Sequence, residues 1–168
     1  MEVGLVAGLG NEGKSYEGTR HNLGFEVVDR MAASQGLRWE KCRHAEAWVA
    51  ESPNHLLLLK PTTMMNASGE AIRAVLDWRK IPLNNFMVIV DDIDLPLGRL
   101  RLRAEGSCGG HRGLESLEGH LGTRAYARLR AGVGRPAENR EAAVMAVESW
   151  RTGGLEAALS LGNRKVEA

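Results

Sequence analysis

Residues 86–94 read FMVIVDDID, an apolar run that ends in three carboxylates within four residues. An uninterrupted apolar run of this length is typical of a strand that is buried on both faces of a sheet. Aspartate is poorly suited to strand interiors, so we expect the strand to end at Val90 and the chain to turn before Pro96. The polar end of this strand is the first candidate site.

The rest of the chain alternates between strand-like and helix-like patterns. Apolar residues recur at three- and four-residue steps in four segments, which predicts four helices. Alternation of this kind predicts one α/β domain over residues 1–168, with a mixed β-sheet flanked by helices on both faces and a hairpin-like pair near 47–60. The helical segments are 25–32, 72–76, 114–121 and 144–151, and the strands are 3–7, 47–50, 55–60, 86–90, 99–103 and 127–133.

Composition narrows the class of protein. A chain of 168 residues with 43% hydrophobic residues can bury one sizeable core but is too short for two ordinary domains. The early apolar stretch Val3–Leu9 is interrupted by two glycines and has no basic segment before it, so we expect neither a signal peptide nor a membrane span. Cys42 and Cys108 lie far apart, which argues against a disulfide framework or a zinc site and favours the cytoplasm.

The net charge of +1 hides an uneven distribution. Residues 95–140 hold nine Arg and four Glu, whereas residues 1–94 hold 10 Lys or Arg and 13 Asp or Glu. Arginines gathered on one surface attract phosphate and can bind it in a bidentate manner. The third quarter of the chain is therefore a candidate nucleic-acid face, although an ordinary solvated surface explains the same charges.

Three polar clusters follow predicted strands. They are Gly8–Asn11, Lys60–Asn66 and Asp91–Asp94. Ligands of open α/β sheets bind beyond the carboxyl ends of the strands, so we expect these loops to converge on one cleft.

Two glycine-rich stretches suggest alternatives. Residues 8–13 (GLGNEG) match the G-x-G-x-x-G pattern of dinucleotide-binding folds, but the next helical pattern starts only near Leu23, which argues against a nicotinamide cofactor. Residues 106–113 (GSCGGHRG) could bring backbone N–H groups close to a phosphate or a carbonyl. Cys108, three residues before His111, raises the hypothesis of a thiol nucleophile, and no G-x-S-x-G elbow is present.

Individual polar residues allow more than one interpretation. His21 precedes the first predicted helix and is either a general base or a helix-terminal histidine. The aspartates at 91–94 could bind Mg²⁺ together with His111, or one of them could orient a histidine. Asn11 could be a turn residue and Asn66 a helix cap.

Taken together, these segments resemble the bacterial peptidyl-tRNA hydrolase family from about residue 3 to about residue 136. Four separated motifs occur in the family's order. They are Gly8–Asn11 with Tyr16, Thr19–Asn22 with Gly24, Pro61–Asn66 with Ser68 and Gly69, and Asp91–Pro96 with Gly109–His111.

The resemblance implies a mixed α/β sandwich that hydrolyses the ester between a peptide and the terminal ribose of tRNA without cofactor or metal. His21 would be the general base, Asp91 the carboxylate that fixes its tautomer, and Asn11 the amide that recognises a blocked amino group. It also implies tRNA as partner, no membrane and a monomer. Further implied contacts are Tyr16, Met64, Met65, Asn66, His111 and Arg112 with substrate, and Arg103 and Arg130 with tRNA phosphate.

The chain departs from the family pattern at several positions. Glu12 stands in place of proline, which should loosen the loop that holds Asn11, and Arg112 stands in place of asparagine. Met64 replaces phenylalanine, Val90 replaces histidine or tyrosine, and residues 136–168 are divergent and short relative to the family. These departures keep open a second class, a catalytically weak RNA-binding relative.

Overall fold

A central β-sheet organises the chain. The computed structural model describes residues 2–13, 22–96, 99–132 and 136–162, with the backbone alone for residues 136–140 and 160–162. Within these residues seven strands form one sheet in the order β2-β3-β4-β1-β5-β7-β6. The strands are β1 Gly4–Gly8, β2 Glu40–Lys41, β3 Ala47–Glu51, β4 Leu56–Pro61, β5 Phe86–Asp92, β6 Leu100–Arg103 and β7 Ala127–Gly132.

The middle of the sheet is parallel and its margins are antiparallel. Strand β1 pairs in parallel with β4 and β5, and β5 pairs in parallel with β7. The antiparallel pairs are β2 with β3, β3 with β4, and β6 with β7. This arrangement confirms the mixed sheet and the hairpin near residues 47–60, whereas the short β2 carries too few residues to leave a strand signal in the sequence.

Helices cover both faces of the sheet. They are α1 Leu23–Ser34, α2 Ser68–Arg79, α3 Arg112–Leu121 and α4 Pro136–Gly162. α3 ends at Gly122, whose φ of 70° suits glycine, and α4 is interrupted at Gly154 by φ 81° and ψ −178°. None of the described helices has the length and apolarity needed to cross a bilayer.

Two apolar layers hold these helices on the sheet. On one face α1 contributes Val28 and Met31, and α4 contributes Val147 and Trp150. On the other face α2 and α3 pack their apolar stripes against the sheet, through residues such as Ile72 and Leu117. Each large side chain buried in this way contributes roughly 1.5–3 kcal/mol. The predicted fold class is therefore confirmed.

Strand β5 is two residues longer than predicted. Asp91 lies opposite Ala131 and Asp92 opposite Gly132 in the ladder with β7. The expectation that the strand ends at Val90 was wrong, because tertiary pairing with a neighbouring strand outweighs the low strand propensity of aspartate. As a result, both carboxylates are fixed by the sheet at its carboxyl edge.

Candidate functional site

A cleft of about 430 Å³ lies at the carboxyl edge of the parallel strands. Its walls come from the loop after β1, the turn after β4, the end of β5 and the glycine-rich loop before α3. This geometry confirms the prediction that the three polar clusters converge. The lining residues are Asn11, Met65, Asp91–Asp94, Gly109–Arg112 and Arg130.

A buried pair, Asp91 and His111, forms one wall of the cleft. Asp91 is 3% exposed, and its Oδ1 lies 3.2 Å from His111 Nε2. The other ring nitrogen, His111 Nδ1, accepts hydrogen bonds from the N–H groups of Gly113 (3.1 Å) and Leu114 (3.3 Å). A nitrogen that accepts carries no proton, so the neutral ring has its hydrogen on Nε2 and donates it to Asp91.

His111 therefore has two structural roles. Together they engage both ring nitrogens, so neither nitrogen is free to act as a general base. His111 is the N-cap of α3, and it holds the Asp91 carboxylate in place. The same geometry argues against Cys108 as an activated nucleophile, because His111 has no lone pair to offer the thiol. The resemblance gave His111 as a substrate contact and missed the cap, although its position before the helical pattern at residues 114–121 was a usable signal.

Asn11 is held by three hydrogen bonds to two residues. Its backbone N–H donates to Asn22 Oδ1 (2.8 Å), and Asn22 Nδ2 donates to the Asn11 carbonyl (3.0 Å). Its side-chain Oδ1 accepts the N–H of Met65 (3.1 Å). Because the oxygen is already engaged, the NH₂ group is the part of Asn11 that can donate into the cleft. Asn11 does not adopt the left-handed geometry that asparagine tolerates in turns, since His55 and Lys80 are the described non-glycine residues with positive φ.

The glycines of the first loop serve close packing. A Cβ at Gly8 would lie 2.1 Å from the carbonyl oxygen of Gly24, and one at Gly10 would lie 2.7 Å from Cγ of Phe25. Helix α1 can approach the end of β1 this closely because the facing residues, Gly8 of the strand and Gly24 of the helix, both lack side chains. The match to a dinucleotide-binding pattern is thus explained by the contact between helix and strand.

Arg130 ties the end of β5 to the glycine-rich loop. One terminal nitrogen of its guanidinium lies 3.4 Å from Asp92 Oδ2, and the other donates to the carbonyl of Ser107 at 2.8 Å. Its side chain is 12% exposed. Within the described residues, no three His, Cys, Asp or Glu side chains are grouped to hold a metal ion, which covers Asp91, Asp92, Asp94 and His111.

Arg128, two residues earlier on β7, is buried and forms no salt bridge with a described carboxylate. Its guanidinium donates to the carbonyl of Gly106 at 2.7 Å and lies 4.2 Å from the centre of the Tyr126 ring. Burial lowers the pKa of Arg128 and raises the pKa of Tyr126, because in each case it disfavours the charged form. Two successive carbonyls of the glycine-rich loop are thus held by arginines of one strand.

The exposed part of the basic segment is on strand β6. Arg101 and Arg103 are exposed, and they lie opposite Arg130 and Arg128 in the antiparallel ladder. Arg99, just before the strand, is exposed as well. The charge excess of residues 95–140 is therefore divided between arginines that hold the cleft together and arginines that face solvent.

The turn after β4 presents a mixture of side chains. Met65 lines the cleft, whereas Met64 is 59% exposed. Asn66 is exposed, and its side chain makes no hydrogen bond to a described residue. Helix α2 is capped at Ala67 without a side-chain bond, so the interpretation of Asn66 as a cap is wrong.

The predicted residues His21 and Tyr16 lie outside the described residues.

The fold and the cleft define a mixed α/β protein whose polar groups surround a buried aspartate–histidine pair at the carboxyl edge of the parallel strands. The model of the family described as peptidyl-tRNA hydrolase matches residues 5–159, and the chain belongs to that family. This confirms the resemblance and the prediction of a peptidyl-tRNA hydrolase, and it extends the match beyond residue 136.

Individual relatives agree with the family match. Peptidyl-tRNA hydrolase of Parasynechococcus marenigrum (strain WH8102) is 51% identical over 138 residues, which is 80% of this chain and 68% of the relative. The one from Shouchella clausii (strain KSM-K16) is 44% identical over 149 residues, 88% of this chain and 80% of the relative. The crystal structure of peptidyl-tRNA hydrolase from Acinetobacter baumannii has a TM-score of 0.88 at 25% identity, covering 99% of this chain and 97% of that one.

Proposed function

We propose that this chain hydrolyses the ester between a peptide and the 3′-terminal ribose of tRNA, with His21 activating water and Asp91 orienting His21. One observation carries the proposal. Asn22, which follows His21 in the chain, is bonded twice to Asn11, and Asn11 lines the same cleft as Asp91. Consecutive Cα atoms are about 3.8 Å apart, so this anchor supports a role for His21 at the cleft.

The described residues narrow the choice of base. Both nitrogens of His111 are engaged, so a proton from water needs another acceptor. A histidine whose second nitrogen donates to a fixed carboxylate is well suited to this task, because its tautomer and orientation are set in advance. His21 is the remaining histidine of the family motifs. Asp91 would then serve two rings, with His111 keeping the carboxylate in position.

The proposed reaction needs neither metal nor cofactor. His21 accepts a proton from water as the water oxygen bonds to the ester carbonyl carbon, and negative charge develops on the carbonyl oxygen. Asn66 offers an unengaged amide that can donate to this oxyanion. The bond to the ribose oxygen then breaks, and His21 returns the proton to that oxygen, which gives a free peptide acid and a tRNA with its terminal hydroxyl restored.

Recognition divides between the two parts of the substrate. The NH₂ group of Asn11 can donate to a carbonyl of the blocked amino group and so select peptidyl over free aminoacyl esters. Tyr16, Met64, Met65, His111 and Arg112 complete the proposed substrate contacts. Arg103, exposed on β6, is the stronger candidate for tRNA phosphate, because Arg130 is already bonded to Asp92 and Ser107.

One assay tests this function against the alternative of a catalytically weak RNA-binding module. The exposed Arg112 lines the cleft and is the observation that favours the alternative. The protein is incubated separately with N-acetyl-aminoacyl-tRNA and with free aminoacyl-tRNA. Release of the amino acid from the blocked ester alone supports the hydrolase, whereas tight, salt-sensitive binding without release supports the module.

We further propose that the chain acts as a monomer in the cytoplasm. Sedimentation at several protein concentrations tests the first point, since a monomer keeps one sedimentation coefficient over the whole range. A coefficient that rises with concentration would indicate association.

A further inference from the structure

We infer that Trp48 is a positioning residue for the cleft, because it holds the loop that carries Asn11. The contact is a hydrogen bond of 2.9 Å from Trp48 Nε1 to Oε1 of Glu12, the residue after Asn11. We call this contact the Trp48–Glu12 bridge. The inference rests on the proposed function, since the readout is recognition of the N-blocked ester.

The loop has a fixed inner end. Gly10 is packed against Phe25, and Asn11 is bonded through its backbone to Asn22. The Asn11 side chain also accepts the N–H of Met65. These contacts set where the loop leaves β1, but none of them reaches the residues that follow Asn11.

The outer end of the loop lies over a cavity. A space of about 390 Å³ is bounded by Glu12 and Gly13 on one side and by Trp48, Asp29 and Lys60 on the other. Gly13 has a φ of 117°, a conformation that other residues rarely adopt, and a Cβ there would meet nothing within 4 Å. The outer end of the loop is therefore loosely packed against the sheet, and the Trp48–Glu12 bridge crosses the cavity between them.

Trp48 is paired through its strand on both sides. It lies in the middle of the three-strand margin of the sheet, opposite Lys41 of β2 and Lys60 of β4. The Lys41 ammonium is 5.6 Å from the centre of its indole ring. Because the ladders with β2 and β4 fix the backbone of Trp48, its hydrogen bond holds Glu12 at a defined place relative to the sheet.

The consequence concerns recognition more than stability. Glu12 is exposed, so loss of this single hydrogen bond should change the free energy of unfolding little. Asn11 lines both the 430 Å³ cleft and the 390 Å³ cavity, so a loop displaced toward the cavity would strain the hydrogen bonds of Asn11 to Asn22 and Met65 and shift its amide relative to the substrate. The expectation that Glu12 loosens the loop stays a prediction, and the bridge gives the Glu12 carboxylate a hydrogen bond to the sheet.

The test compares matched tryptophan variants. Trp48→Phe keeps an aromatic ring but removes the N–H donor, and Trp78→Phe makes the same change on α2, where Trp78 is 40% exposed and stacks on His44. We expect Trp48→Phe to lower kcat/KM for N-acetyl-aminoacyl-tRNA by about three- to tenfold, mainly through KM. We expect its ratio of rates for blocked and free esters to fall as well. Trp78→Phe should match the wild type.

Two variants of Glu12 provide the second arm. Glu12→Ala removes the acceptor and should reproduce Trp48→Phe, while Glu12→Gln keeps an amide oxygen and should regain most of the lost kcat/KM. Combined with Asn11→Ala, Trp48→Phe should have no further effect, because the positioned group is gone.

Equal kcat/KM in wild type and Trp48→Phe would overturn the inference. It would also be overturned if Trp48→Phe lowered kcat/KM in the Asn11→Ala background as much as it does in the wild type. Inactivity of the wild type on the blocked ester would instead overturn the proposed function. The two failures are therefore distinguishable in one set of measurements.

Discussion

Two substitutions of His111 separate its role as the N-cap of α3 from its hydrogen bond to Asp91. His111→Ala removes both the cap of α3 and the hydrogen bond to Asp91. His111→Asn removes the bond to Asp91 but retains a side-chain oxygen that can accept the N–H groups of Gly113 and Leu114, because asparagine is among the best N-caps. The pair of variants therefore isolates each contribution.

The expected magnitudes follow from the burial of the pair. Loss of a helix cap costs about 0.5–2 kcal/mol. Removal of one partner from a buried carboxylate costs about 1–3 kcal/mol more, and the side chains of His111 and Asp91 are 10% and 4% exposed. His111→Ala should therefore lose roughly 1.5–5 kcal/mol of unfolding free energy, and His111→Asn should regain about 0.5–2 kcal/mol of that loss.

Urea unfolding measures the stability of both variants, and single-turnover hydrolysis of N-acetyl-aminoacyl-tRNA measures the chemical step. We expect both to hydrolyse the ester more slowly, because Asp91 is less well held in each. Equal stability of the two variants would refute the capping role. A full hydrolysis rate in His111→Asn would refute the role of His111 in positioning Asp91.

Four further predictions concern phosphate, the cleft, pH and metal. Arg103→Ala should weaken tRNA binding and flatten its salt dependence by about one phosphate contact, whereas an unchanged slope would place the basic face elsewhere. Arg112→Asn should change KM for the blocked ester more than kcat if the cation contacts substrate, and a change confined to kcat would count against that contact. Tyr126→Phe should make the free energy of unfolding less sensitive to alkali. Because burial raises the pKa of Tyr126, the unfolded chain loses this proton at a lower pH than the folded chain, and the wild type is destabilised above about pH 10. Urea midpoints measured on either side of that pH test this expectation. Dialysis against a chelator should leave hydrolysis unchanged, and a loss restored by Mg²⁺ would contradict the metal-free mechanism.

Much of the fold could be predicted because period and polarity agree along the chain. The apolar run at residues 86–90 and the helical stripe at residues 114–121 appear where the patterns predict them. Convergence of the loops followed from a general property of parallel strands, whose carboxyl ends meet at one edge. The helix over residues 144–151 was found, but not its extension to Gly162 through the break at Gly154.

Other features were hidden because they depend on tertiary pairing. The ladder partner of Asp91 is 40 residues away in sequence, so local propensity could not show that β5 continues through Asp92. The same holds for Arg130, which the resemblance gave as a contact to tRNA phosphate and which the structure bonds to Asp92 and Ser107. Charge alone cannot tell an arginine that faces solvent from one that ties two loops together.

One variant measures directly whether His21 is the general base. His21→Ala should bind tRNA with nearly the wild-type Kd while its single-turnover rate on N-acetyl-aminoacyl-tRNA falls by about 10² to 10⁴. A rate within a few fold of the wild type would show that another group activates the water.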